Sequence, residues 1–211
     1  MGATAHSHPP SHFAMVSPGV FRSGFPTHHH VPFLHRLGLR SIVNLAQEPG
    51  LAHKGELKDW VSRQGIAVIT CDTIPSREPF EVPADEEIGK ALRVLLDPSA
   101  QPVLVHSIRG DGPLSVVIGI LRRTQQWALT AIFDEARRFS ATGVSLLDLQ
   151  TIETFDVDAA LEAPRSGGPA TDLVHFPAGA SSADEAPAAR SGDEAPAATA
   201  AVESVAPLAV Q

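Results

Sequence analysis

Apolar positions along the first two thirds of the chain change their period several times, and each change marks an element. Phe13–Val16 and Val20–Ser23 are short runs on either side of Ser17-Pro18-Gly19, a turn in which proline presets one dihedral and glycine permits the next; they predict two short strands. Val31–Leu37 predicts a short helix stopped by Gly38, and Ser41–Leu45 (SIVNL) predicts a strand. Ala52–Gln64 predicts an amphipathic helix that ends at Gly65. Ile66–Cys71 (IAVITC) is apolar over its whole length, as a strand covered on both faces would be. Ala84–Leu96 places Ile88, Leu92, Leu95 and Leu96 on one helical face ahead of Pro98. Val103–His106 predicts a short buried strand, and Val116–Gln125, Thr130–Phe139 and Leu146–Phe155 predict three successive helices. Strands alternating with helices, followed by helices alone, predict an α/β fold. Its central sheet should have about four to five strands flanked by helices, with a helical cluster at the C-terminal end.

This patterning stops near Leu161. Residues 161–211 are mostly Ala, Pro, Ser and Gly with scattered acids, and DEAPAA occurs at both Asp184–Ala189 and Asp193–Ala198. Such a composition buries too little apolar surface to offset the entropy of ordering it, so a disordered acidic tail is expected. Residues 1–12, with His6, His8, Pro9, Pro10 and His12, are expected to be flexible. The folded domain is thereby placed at residues 13–160.

Charge and composition narrow the classes of partner. A net charge of −8 argues against nucleic acid or an anionic membrane surface. The longest apolar stretches, such as Val116–Leu121, are far shorter than the roughly 20 residues a spanning helix needs. MGATAHSHPP has neither the basic nor the apolar region of a secretory signal, and His6 stands where a myristoylation motif needs Ser or Thr. Cys71, the only cysteine, excludes an internal disulfide and suits a reducing compartment, so a cytoplasmic location is expected. The side chains of His28, His29 and His30 are consecutive and so cannot readily converge on one ion; neither a metal nor another cofactor is expected.

The segment most suggestive of chemistry is Gln101–Ile120, QPVLVHSIRGDGPLSVVIGI: a strand, a loop with two glycines, then an apolar helix. A strand–loop–helix unit can present backbone N–H groups and a helix N-terminus to an anion. In open α/β sheets, ligands lie beyond the carboxyl ends of the strands, which is where this loop falls. Taken alone, the two glycines fit a tight connection equally well.

The whole domain carries a more specific signal. PGVFRSGFP (Pro18–Pro26), FLHRLGLRSIVNL (Phe33–Leu45), REPF (Arg77–Phe80), ALRVLLDPSAQPVLVH (Ala91–His106) and LRRTQQWALTAIFDEARRF (Leu121–Phe139, with Trp127) occur in this order. With these blocks the chain resembles the plant and fungal atypical dual-specificity phosphatases, a tyrosine-phosphatase-like family acting on inositol pyrophosphates and, in vitro, phosphotyrosine. The resemblance implies a cysteine-phosphatase fold and an active loop of His-Cys, five residues, Arg, then Ser or Thr. Here His106 matches, but Ser107 stands at the cysteine position, Pro113 at the arginine position and Leu114 at the hydroxyl position. Ile108, Arg109, Gly110, Asp111 and Gly112 fill the interval; Arg109 and Gly110 suit the family loop, whereas Asp111 replaces a residue that is usually basic.

Each departure removes a named chemical function. The family nucleophile is a thiolate, formed because the loop lowers a thiol pKa from about 8.5. A serine hydroxyl stays protonated and needs an adjacent base. Pro113 removes the guanidinium that would clamp phosphoryl oxygens, and Asp111 adds negative charge. The expected protein is therefore a pseudophosphatase, acting as a binding or regulatory subunit in a hetero-oligomer with related phosphatases. Two alternatives remain open: residual phosphatase activity through Ser107 with Arg109, and a non-catalytic inositol phosphate sensor using Arg77, Arg109 and the loop amides.

The other polar residues are expected to be structural. His106 should hydrogen-bond backbone and shape the loop. Cys71 should be a buried small hydrophobe. Asp85, Glu86 and Glu87 should complement a helix dipole, and Arg122, Arg123, Arg137 and Arg138 should be helix-surface charges. Asp72 and Glu78 are not assigned as general acids.

Overall fold

The computed structural model describes residues 7–46, 55–72, 84–140 and 143–162. It opens with a hairpin of β1 (Ala14–Ser17) and β2 (Val20–Ser23), antiparallel and irregular in register between Met15 and Ser17. Gly19 makes the turn at φ +79°, where a side chain would be strained. Then follow α1 (Val31–His35), β3 (Ser41–Asn44), α2 (Gly55–Gln64), β4 (Ala67–Thr70), α3 (Asp85–Leu96) and β5 (Val103–His106). The remaining helices are α4 (Pro113–Thr124), α5 (Leu129–Arg138), α6 (Leu146–Thr154) and α7 (Val157–Glu162).

The strands form one five-stranded sheet in the order β1-β2-β5-β3-β4, with every pair parallel except β1 with β2. This is the predicted α/β sheet with its C-terminal helical cluster. β5 is central, with Val105 in register with Arg22 on one side and Val43 on the other. All four β5 residues are fully buried, as the apolar run requires of a strand covered on both faces. Side chains alternate between the faces. Val43 and Val105 face the core shared with Ile88, Leu92, Ile118 and Ile152, whereas Ile42 and Leu104 face Leu34, Trp60 and Val68.

Predicted boundaries shift where local chemistry extends or shortens an element. α4 starts at Pro113 rather than Val116, because proline is preorganised for the first helical position and has no N–H to leave unpaired. α7 was not anticipated, since it lies where the composition begins to resemble the tail. Val157, Ala160 and Leu161 nevertheless pack on the core, and Arg93 Nη1 donates to the Ala160 carbonyl at 2.6 Å. The predicted helix start at residues 52–54 and the predicted tail beyond residue 162 lie outside the described residues.

Two predicted surface charges require correction. Arg122 is only 6% exposed, grips Glu135 through Nε (2.8 Å) and Nη2 (2.9 Å), and lies 4.0 Å over the Trp127 ring. Arg123 Nη1 donates to the carbonyls of Ile152 (2.9 Å) and Phe155 (2.7 Å) at the end of α6. Both are covered because α5 and α6 fold back over the last turn of α4. Arg137 and Arg138 are exposed as expected, and Arg137 pairs with Asp134 at 3.0 Å. Among the described residues no helix is long and apolar enough to cross a membrane, and no group of three or more His, Cys, Asp or Glu could hold a metal.

α4 carries the candidate site and lies against α6 at Gly119, where a Cβ would meet Ile152 Cδ1 at 2.7 Å and Cγ1 at 2.9 Å. Alanine gains helix propensity of about 1 kcal/mol over glycine, but overpacking against a stiff β-branched neighbour costs about 1–3 kcal/mol. Gly119→Ala is therefore expected to lower stability in urea unfolding, and Ile152→Ala in the same chain should offset the crowding. A double-mutant cycle with no coupling would contradict this packing.

Candidate functional site

The loop between β5 and α4 runs from Ser107 to Gly112, turning through Gly110 (φ +87°) and Gly112 (φ +56°). The β2 strand and the residues after it hold the loop from the side. Ser107 N–H donates to the Ser23 carbonyl at 3.4 Å, and Phe25 N–H donates to the Ile108 carbonyl at 3.2 Å. A Cβ on Gly110 would lie 2.8 Å from His12 Cβ and 2.9 Å from Gly24 N, so the approach tolerates only glycine. Gly24 N–H in turn donates to the Ser11 carbonyl at 2.7 Å. Residues 7–12, expected to be flexible, thus pack beside the loop, and Pro10 is buried.

Arg22 supports the loop from within the core, and the sequence reading did not single it out. Its side chain is fully buried, with Nη2 donating to the Gly110 carbonyl (2.9 Å) and, at 3.5 Å, to Ser115 Oγ. The guanidinium carbon lies 3.8 Å from the centre of the Phe139 ring. Nε and Nη1 have no hydrogen-bond partner, and burial lowers the pKa to about 10, partly offset by the charge of Glu135. Arg22 therefore remains a cation at neutral pH. The available signal was the alternation in VFRS, which puts Arg22 on the same inward face as Val20.

Inside the loop, Ser107 Oγ accepts from Gly110 N–H at 3.0 Å and donates to the Asp111 carbonyl at 3.0 Å. Its one proton is committed to a carbonyl oxygen, which is not a base. Arg109 Nε meets Asp111 Oδ1 at 3.2 Å, with the arginine side chain 69% exposed and the aspartate 9%. Ile108 is exposed at the mouth of the loop. The N–H groups of Ile108, Arg109, Asp111 and Gly112 have no acceptor among the described residues. Pro113 opens α4, and Leu114, at the expected hydroxyl position, is fully buried in the core.

The remaining predicted residues fall around this loop. His106 is fully buried, and the expectation that its ring would hydrogen-bond the backbone gives way to burial: neither nitrogen has a partner in hydrogen-bonding geometry. Burial pushes its pKa down to about 3, with the Ser107 backbone offsetting part of the effect. Its neighbour in register, Asn44, also leaves a buried Nδ2 unpaired. Asp148 on α6 is raised by burial, opposed by the Ser145 backbone and reinforced by the charge of Asp111. Cys71 is buried as expected, and its thiol is pushed up to about 12 by desolvation, so it is no substitute nucleophile. Arg77 and Glu78 lie outside the described residues. Asp72 is described: its N–H donates to Glu87 Oε2 at 2.8 Å.

A family model described as "Tyrosine phosphatase family" matches residues 8–167. Inositol diphosphatase DSP1 of Oryza sativa subsp. japonica is 39% identical over 158 residues, covering 75% of this chain and 70% of that protein. Inositol diphosphatase DSP4 of Arabidopsis thaliana is 38% identical over 158 residues, covering 75% and 78% respectively. Among solved structures, the core catalytic domain of the PP-IP phosphatase SIW14 from S. cerevisiae, in complex with citrate, superposes with a TM-score of 0.67. It is 35% identical and the match covers 74% of this chain and 92% of that one.

The state of His106 generates a pH prediction. The group is neutral in the fold down to about pH 3 and, when unfolded, takes up a proton near the ordinary imidazole value of about 6.5. Stability is thus unaffected above about pH 6.5 and falls as the pH drops from there towards 3, by up to about 5 kcal/mol for the full difference. Urea unfolding across this range should show the loss, and His106→Leu should flatten the profile. A profile with the same slope in the variant would mean that the imidazole is not held neutral.

Proposed function

The chain belongs to the tyrosine phosphatase family, with inositol diphosphatases among its relatives, and on that premise we propose that it has kept the scaffold and lost the reaction. The observation that carries this reading is the hydroxyl of Ser107, bonded at both ends to its own loop. In-line attack on phosphorus requires a nucleophile freed of its proton, and no neighbour can take it. His106 is fully buried with a pKa of about 3, and Asp111 is engaged with Arg109. Loss of a nucleophile has cost on the order of 10⁶ in rate in a well-studied hydrolase. A transition-state arginine is worth roughly 10³–10⁵ in comparable phosphoryl transfer. The two losses belong to one unit and do not multiply.

In this reading the protein is a binding or regulatory subunit of related phosphatases, offering a preserved family surface with a silent site. The partner assignment is an analogy from shared fold. A second reading has its own observation: a loop with unpaired N–H groups beside an exposed Arg109 can still receive an anion without hydrolysing it. That reading makes the chain an inositol phosphate sensor, and the citrate held by a relative of the same fold is consistent with it.

Restoration separates these possibilities. The native chain and the Ser107→Cys/Pro113→Arg double variant are assayed on a phosphotyrosine mimic and an inositol pyrophosphate, with calorimetric titration of the native chain alongside. The expected outcome is no turnover by the native chain and measurable turnover by the variant. Turnover by the native chain that is abolished by Ser107→Ala would overturn the proposal. Saturable binding without hydrolysis, lost in Arg109→Ala, would favour the sensor over the regulatory subunit.

A further inference from the structure

The N-terminal residues Ser7–His12 are attached at both ends, and neither attachment is part of the phosphatase chemistry. At one end the Ser11 carbonyl accepts the Gly24 N–H at 2.7 Å, and His12 Cβ abuts Gly110 of the loop. There is no spare room: a Cβ on Gly24 would collide with Ser11 Oγ and come within 3.2 Å of the Arg109 carbonyl oxygen. At the other end, the His8 ring packs edge-on against His30 with centroids 5.1 Å apart. His30 closes a short 3-10 turn, His28–His30, in which the rings of His28 and His29 lie 3.7 Å apart.

His30 favours its neutral form for a geometric reason. Thr27 N–H donates to His30 Nδ1 at 2.9 Å, so that nitrogen must present its lone pair. A proton on Nδ1 would break this bond and leave the nitrogen only the Thr27 hydroxyl, 3.1 Å away, as an acceptor. The charges acting on His30 are those of His8, His29 and His28, all cationic when protonated; burial and these neighbours together lower its pKa. No carboxylate is among the groups acting on it to offset the repulsion.

We propose that residues 7–12 form a proton-released strap on the Arg109–Gly110 shoulder of the loop, latched by the packing of His8 on a neutral His30. The sign follows from the direction of the shift. A group whose proton affinity is reduced in the latched state leaves that state intact above the ordinary imidazole range and weakens it as the pH falls below about 6.5. Thr27 is two residues beyond Phe25, whose N–H holds the Ile108 carbonyl, so the cluster and the loop share one short segment. Acidification then uncovers the loop shoulder while the hairpin and β5 stay folded.

The Gly24 amide is the reporter, because its acceptor is the strap itself. Amide exchange is followed by NMR on the labelled full-length chain at about pH 7.5 and about pH 5, on either side of the ordinary imidazole value, with each rate corrected for intrinsic exchange. Gly24 should lose protection severalfold at the lower pH, while Phe25 and Val105 amides keep theirs. His30→Phe keeps a ring for His8 to pack against but cannot take up a proton, so it should keep Gly24 protected at both pH values. His8→Ala should leave Gly24 unprotected at both. Equal protection of wild-type Gly24 at the two pH values would overturn the proposal, as would an unchanged pH response in His30→Phe or retained protection in His8→Ala. Loss shared equally by Gly24 and Val105 would mark general unfolding and count against it as well.

Discussion

The fully buried guanidinium of Arg22 ties the sheet to the loop, and the shape of the site depends on that connection. A buried cation with two nitrogens unpaired is expensive, and it is tolerated because Nη2 holds the Gly110 carbonyl and the Phe139 ring covers one face. The carbonyl it holds belongs to the glycine that reverses the loop. From that point Gly110 N–H reaches Ser107 Oγ, and Ser107 reaches the Asp111 carbonyl. The turn after β5 is thus determined by a strand from the far end of the sequence.

On the proposed reading, this division explains how the scaffold would outlast its chemistry. The contacts that shape the loop run through backbone atoms of Ser23, Phe25, Ile108 and Gly110, and through Arg22. None of them uses the position-107 nucleophile as a thiolate or needs a side chain at position 113. The supporting bonds therefore do not depend on a thiolate at position 107 or a guanidinium at position 113. Serine even occupies a position of the loop hydrogen-bond network that a larger, softer sulfur would fill with longer contacts.

Much of this was legible in the sequence. The strand signals succeeded where a short apolar run was bounded by punctuation, as at SIVNL and VLVH, and the resemblance points to the loop that holds Ser107 and Pro113. The omissions share one physical cause: they depend on which distant element covers a residue. Arg122 and Arg123 look like solvated helix charges until α5 and α6 fold over them. Arg22 looks like one member of a matching block until Phe139 and Gly110 close around it. His106, at the strand end, is expected from sequence to hydrogen-bond backbone and shape the loop. The strand register instead sets it beside Asn44, which directs its Oδ1 to the Ala46 N–H at 2.9 Å.

The first turn of α4 carries a consequence of another kind. Pro113 presets the helical dihedral, and Leu114 fills core volume, so positions that would serve catalysis in the family here serve folding. Proline where its geometry fits stabilises by about 0.4–1 kcal/mol, and a fully buried leucine contributes about 1.5–3 kcal/mol. Reversion to arginine and a hydroxyl would surrender both contributions, and neither change alone would return a nucleophile. On the proposed reading, a path to the family's reacting groups descends in stability before it gains any rate. On that reading, loss of the reaction is a thermodynamic ratchet, held in place by the fold's own preference for Pro113 and Leu114.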